Sequence, residues 1–263
     1  MIDKDTILEN CKNTKCDLEE LCALIANELD SARGSAPESE LNKLWALHEV
    51  VTIHKLFLDT YKLLKEGNYY AAWCKAEKVE ISCLILENND TELYKSVEKL
   101  ASVVESLQSI YPYKIFASHV ARISKEECSI CHKTREINNP CGHRVGKVYN
   151  GEVCYNIVKD FKFMGVDLVR NPVNKSCVVF LVDEDNPGKD LYNYSAVAYL
   201  MKHWHSPYQY WTCQIEYNHI PATKYPNLND GDMCPCRSGK KFAECCKHDE
   251  LGIKQKNYHF NFT

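Results

Sequence analysis

The chain reads as an α+β protein, with an N-terminal antiparallel helical bundle over residues 1–125, a metal-stabilised mixed α/β region over 126–222, and a linker with a small cysteine knuckle over 223–263. Three observations predict this. Apolar residues recur at helical spacing through the first part, β-branched and aromatic segments between turn signals follow Cys128, and cysteines pair at short spacings in two places.

Asp17 is placed to cap the first helix, with Glu20 able to reach back to the cap amide, and the helix runs to Arg33. Gly34-Ser35-Ala36-Pro37 stops it. Leu41, Leu44, Trp45, His48 and Val51 set the period of a second helix toward Leu64, and Gly67-Asn68 ends that one. From Tyr69, the residues Trp73, Ala76, Val79, Cys83 and Leu86 carry a third. Asn88-Asn89-Asp90 stops it and caps a fourth over 91–110, with Pro112 closing the region. Short connections between long amphipathic helices favour an antiparallel bundle. Beyond it, Asn150-Gly151 between Lys147 and Val153 is the two-residue loop of a type I′ hairpin. Residues 178–182 read as a buried strand, Asp183-Glu184-Asp185-Asn186-Pro187-Gly188 as a solvated acidic turn, 192–204 as a helix and 221–232 as a polar linker.

A formal charge of −4 and a pI near 6.2 give no general pull toward phosphate backbones. Fifteen cysteines would suggest disulfides in a secreted chain, but Met1-Ile2-Asp3-Lys4-Asp5 lacks the apolar start of a signal peptide, so a cytoplasmic protein with reduced thiols is expected. No run of about 18 apolar residues occurs, which argues against a membrane span. In a reduced chain, paired cysteines point to metal.

Cys234-Pro-Cys236, eight residues, then Cys245-Cys246 brings four thiolates together, and zinc takes such a tetrahedral sulfur shell. A closed shell leaves no position for substrate, so the site is expected to be structural. Lys240-Lys241-Phe242 should start a short helix after the Ser238-Gly239 turn. The segment from Cys234 to Cys246 resembles the SEC-C motif, found at the C-terminus of a bacterial protein-translocation motor and on many otherwise unrelated bacterial proteins. Arg237 stands where that motif has glycine, and the resemblance makes His248 a competitor to Cys246 as fourth ligand. Arg237, Lys240, Lys241 and Lys247 make the knuckle locally basic, a candidate partner-binding patch for a protein acidic surface or a ribosomal phosphate.

A second group offers five ligands for four positions: Cys128, Cys131, Cys141, His143 and Cys154. The C-x2-C pair presents two thiolates from one turn, and Cys141 and His143, two apart in extended chain, project to the same side. Cys128, Cys131, His143 and Cys154 are the expected set, with Cys141 the alternative. Cys154 is expected at a helix start, where a treble-clef finger delivers its last ligand. The spacing also suggests a RING finger, but no later C-x2-C before Cys234 completes one. From Tyr111 through these cysteines and Arg170-Asn-Pro-Val to the terminal knuckle, the chain resembles a bacterial group of SEC-C-containing proteins. That likeness implies two zinc modules in one protein and names no reaction.

No P-loop, G-x-S-x-G elbow, H-E-x-x-H or dinucleotide fingerprint is present. His48 and His54, six apart on a helix, read as packing or surface residues. The aromatic stretch Trp204-His205-Ser-Pro-Tyr208-Gln-Tyr210-Trp211, with Tyr217 and His219, can stack nucleobases but reads first as core or interface. Cys11, Cys16, Cys22, Cys74 and Cys83 are expected to pack in helices as small apolar groups. The function expected is that of a zinc-binding, non-enzymatic adaptor that docks on a protein or ribonucleoprotein partner. The alternatives are a nucleic-acid-binding accessory protein, for example in phage defence, and an enzyme with an open zinc site at the Cys128 group.

Overall fold

The computed structural model describes residues 3–13, 16–180, 182–183, 186–236, 238 and 240–263. It is α+β, with seven α-helices and four two-stranded antiparallel ribbons among the described residues. Contacts divide it into two units, Met1–Gln209 and Tyr210–Thr263.

In the first unit the helices are α1 (Lys4–Lys12), α2 (Leu18–Ala32), α3 (Glu38–Lys65), α4 (Tyr69–Asn89), α5 (Thr91–Tyr94), α6 (Glu98–Ile110) and α7 (Ser195–His203). Asp17 caps α2 as expected, accepting from the backbone N–H groups of Glu19 and Glu20. The expected 91–110 helix is two helices: Asp90 caps the short α5, and α6 starts afresh after Val97. The first helix, α1, is short and has no long periodic signal; Asp3 caps it and Ile7 and Cys11 anchor it in the core. That core is formed by α3 and α4 with α2 and α6 against them, and it is closed by Trp45, Val50, Ile53, Phe57, Trp73 and Leu86. Cys11, Cys22 and Cys83 are buried there as small apolar groups, whereas Cys16 and Cys74 are half-buried.

Two long strands follow, β1 (Phe116–Cys128) and β4 (Asn156–Val169), paired antiparallel along their length. Between them β2 (Val148–Tyr149) and β3 (Glu152–Val153) make the expected Asn-Gly hairpin, with φ of 49° at Asn150 and 74° at Gly151. A strand, β4, follows Cys154 in place of the expected helix start. Of the strand expected over 178–182, Leu181 lies outside the described residues, and residues 178–180 form no regular strand. Val178 bridges Phe116, and Val179 donates to the Ile115 carbonyl, but residues 178–180 are half-buried. Further on are β5 (Val182–Asp183) and β6 (Asn186–Asp190); Glu184 and Asp185 of the acidic turn lie outside the described residues. The helix expected over 192–204 is α7. Trp204 is buried against Phe57 and Tyr61, and Tyr208 stacks on Phe57, so the aromatic stretch up to this point is core.

In the second unit, β7 (Trp211–Ile220) pairs with β8 (Ile253–Phe262) in an unbroken register from Trp211↔Phe262 to Ile220↔Ile253. The cysteine knuckle is the connection between these strands, and the residues after it return as β8. Gly252 turns the chain into β8 at φ 98°, and a side chain there would meet the Ile220 carbonyl oxygen at 2.5 Å. Trp211 is buried and Tyr217 exposed. No helix among the described residues is long and apolar enough to cross a membrane.

Candidate metal centres

The knuckle is held by backbone geometry before any metal is considered. Cys234 N–H donates to the Lys240 carbonyl at 2.8 Å and Phe242 N–H to that of Asp232 at 2.8 Å, closing the loop that carries the first two cysteines. A 3₁₀ turn over Phe242–Glu244 and a second over Cys246–His248 then bring Cys245 and Cys246 back. Their sulfurs and those of Cys234 and Cys236 lie within 4.8 Å of one another. Cys236 Sγ is 3.4 Å from Cys245 Sγ, which is 3.8 Å from Cys246 Sγ. A tetrahedron with 2.3 Å metal–sulfur bonds has edges of about 3.8 Å, so the donors fit a thiolate-bound dication.

Burial, then the three neighbouring sulfurs, push the Cys246 thiol up to about 12. A dication among the four reverses that balance and holds them as thiolates. His248 is exposed and outside the four-ligand group. Of the basic residues, Lys240 and Lys241 are exposed and Lys247 is ion-paired with Asp230, while Arg237 lies outside the described residues. From Tyr210 onward the sequence carries seven Lys and Arg against six Asp and Glu, so the basic character is confined to the knuckle turn.

In the first unit, β1 delivers Cys128 at its last residue and a tight turn delivers Cys131. His132 donates its N–H to the Cys128 carbonyl at 2.9 Å and takes a φ of 55°, and Cys128 N–H donates to the Lys133 carbonyl. Burial alone would raise the Cys128 thiol. The backbone N–H groups of Cys131 and Ile130 and the thiols of Cys131 and Cys141 outweigh it and bring the thiol down to about 6.

The four ligand atoms that lie within 4.8 Å of one another belong to Cys128, Cys131, Cys141 and His143. Cys141, the alternative, therefore completes the group in place of Cys154. Cys154 stays at its edge, buried, with Sγ 3.8 Å from that of Cys128. His143 Nδ1 is 3.7 Å from Cys128 Sγ, close to the roughly 3.6 Å of a sulfur–nitrogen tetrahedral edge. Tyr149 packs edge-on against the His143 ring, and its hydroxyl accepts from Arg144 N–H.

Spacing in the sequence does not single out Arg135. Its guanidinium donates to Cys141 Sγ at 3.3 Å, to Cys154 Sγ at 3.2 Å and to the His143 carbonyl at 2.6 Å, tying the two competing sulfurs to one cation. Four residues past a C-x2-C pair, an arginine is an ordinary surface residue by composition, and only the fold turns it inward. The loop is fixed to the helices by Asn89, which donates to the Gly146 carbonyl and accepts from Val148 N–H, and by Asn42, which accepts from Gly151 N–H at 2.8 Å.

Three placements bear on the other expected residues. His48 is half-buried on α3 beside Cys22 and Lys55, and burial lowers its pKa. His54 is 2% exposed and bonded to Tyr208. All fifteen cysteines are free thiols. No curated protein and no solved structure matches the chain. The family model of the SEC-C motif matches residues 232–247, the segment that carries the four sulfurs of the second unit.

Proposed function

We propose that the protein is a zinc-binding, non-enzymatic adaptor that docks on a protein or ribonucleoprotein partner through the exposed lysines of its C-terminal knuckle. The observation that carries this reading is the ligand count. The knuckle brings four sulfurs to one point, and the Cys128 group surrounds its centre with four donors and a fifth beside them. A metal so enclosed has no open position for substrate and acts by holding backbone in shape. Zinc is the metal chosen because all-sulfur and sulfur–imidazole tetrahedra are its usual structural sites. The likeness to the SEC-C motif supports the same choice.

In the knuckle, Lys240 and Lys241 are exposed next to the turn that the cysteines fix, so the metal would present them at a defined spacing. The full-length chain, purified under reducing conditions, should retain about two zinc ions by mass spectrometry of the metals. Lys240→Glu with Lys241→Glu should lose the partner set captured from cells while keeping the metal. An unchanged partner set would end the docking proposal. A nucleic-acid partner would instead show an affinity that falls steeply with salt.

A further inference from the structure

The β1–β4 ribbon has two faces of different kind. Residues paired across an antiparallel ribbon share a face, and on β1 the pairs Ala117↔Leu168, His119↔Val166, Ala121↔Phe163 and Ile123↔Phe161 fall on one side. This face is apolar except for His119. The other carries Ser118, Arg122, Lys162 and Asp167 together with one exposed apolar residue, Val120. The phase holds on β4 because a bulge between Gly165 and Phe163 takes up Met164, bringing Phe163 back to the side of Val166.

The apolar face is in water. Phe161 is 60% exposed, Phe163 58%, Val166 58%, Leu168 70% and Ile123 48%. With the roughly 200 Å² that an aromatic side chain can bury, these five present on the order of 500 Å². That is near the top of the range for the largest apolar patch on a monomer, about 300–600 Å². The ribbon is also held still at both ends. Phe116 is buried and stacks on Trp73 of α4, and Cys128 belongs to the metal-ligand group. A surface fixed in this way loses little freedom on association.

We infer that this face is a self-association surface, on which two copies of the chain pack their β1–β4 ribbons face to face about a two-fold axis with Phe163 and Val166 near the centre and Phe161 beside them. A two-stranded ribbon is marginal alone, and stacking two of them gives a four-stranded sandwich with about 10 Å between layers. The occupant is a second copy for two reasons. The paired strands carry four basic and four acidic residues, so the ribbon neither repels its own copy nor selects a strongly charged partner. Two such faces together remove on the order of 1,000 Å² of apolar surface, the lower bound of a specific isologous interface.

Sedimentation velocity on the full-length chain, from low to high micromolar, should show a species of twice the 30.3 kDa chain mass that grows with concentration. Phe161→Lys with Phe163→Lys should give a single-chain species at every concentration, with an unchanged circular dichroism spectrum. Lys162→Ala, on the opposite face, should leave the equilibrium as it is. Should the double variant not fold, a photoreactive benzoylphenylalanine at position 163 of the otherwise native chain should crosslink chain to chain, with the crosslink mapping to β1 or β4. A native chain that stays single throughout, or a crosslink outside the ribbon, would overturn the inference.

Discussion

His54 sits 2% exposed among α1, α3 and Tyr208. The Tyr208 hydroxyl donates to the Cys11 carbonyl at 2.7 Å, so it accepts from His54 Nδ1–H, and the buried Nε2 has no partner among the described residues. Burial, with a smaller contribution from Lys12, lowers the His54 pKa from 6.5 to about 4. The sign follows. Above pH 6.5 both folded and unfolded forms are neutral here; between 6.5 and about 4 only the unfolded chain takes the proton, so stability is lost as pH falls. That window is worth about 3 kcal/mol for a group so buried. Urea unfolding at pH 7 and pH 4.5 should show a smaller acid loss for His54→Gln than for the native chain. Arg135 makes the second prediction at this scale. Arg135→Met keeps the ligands but leaves two sulfurs without their donor, and it should weaken metal retention roughly 10–100-fold in chelator competition. Gly151 makes a third, because a side chain there would meet Leu29 Cδ1 at 2.8 Å in a positive-φ turn. Gly151→Ala should cost about 1–3 kcal/mol in denaturant unfolding.

At the level of elements, the loop over 174–177 is fastened to α4 by buried charge. Glu77, 5% exposed, accepts from Lys175 N–H and the Ser176 hydroxyl, while Trp73 Nε1 donates to the Lys175 carbonyl at 2.6 Å. The Lys175 ammonium pairs with Glu80 and also meets Gln108 of α6. Glu77→Ala leaves a buried backbone donor unpaired and should cost about 2–3 kcal/mol, whereas Lys175→Met, at a half-exposed pair, should cost under about 1. Hydrogen exchange at Lys175 and Cys177 should separate the two variants. The long helices were legible because Leu41, Leu44, Trp45 and Val51 on α3 and Trp73, Ala76, Val79, Cys83 and Leu86 on α4 each recur at helical spacing, and Asp17 was legible as a cap. β1 and β4 were not. A bulge at Met164 shifts the alternation Phe161-Phe163 against Val166-Leu168 by one residue, so a period of two never persists long enough to read. The break between α5 and α6 escaped for a related reason: Lys95-Ser96-Val97 holds no Gly or Pro, and Asp90 caps only one turn.

Across the whole molecule, the two metal-ligand groups differ in what depends on them. The core of the knuckle is Cys234, Phe242, Cys246 and Ile253, with Tyr225 and Leu228 against it, so half of its fully buried members are ligands. So small a cluster cannot offset the ordering of some thirty residues at about 1–2 kcal/mol each, and structural zinc supplies about 10–16 kcal/mol in finger peptides. The helical core in the first unit is built from α2, α3, α4 and α6, none of which carries a ligand of either group. This also explains why the sulfurs were legible in sequence and their setting was not: the C-x-C and C-C spacings are local, whereas closing β7 on β8 around the knuckle is a pairing across more than thirty residues. Choosing between Cys141 and Cys154 likewise depends on where β1 ends and Arg135 turns. Stripping the metal with a strong chelator under reducing conditions should therefore raise amide exchange over 221–252 to the unfolded rate. Residues 128–155 should loosen less, since Asn89 and Asn42 still hold them to the helices, and α3 and α4 should keep their protection. Readdition of zinc should restore protection first to the knuckle, and a knuckle that stays protected without metal would show that β7 and β8 alone support it.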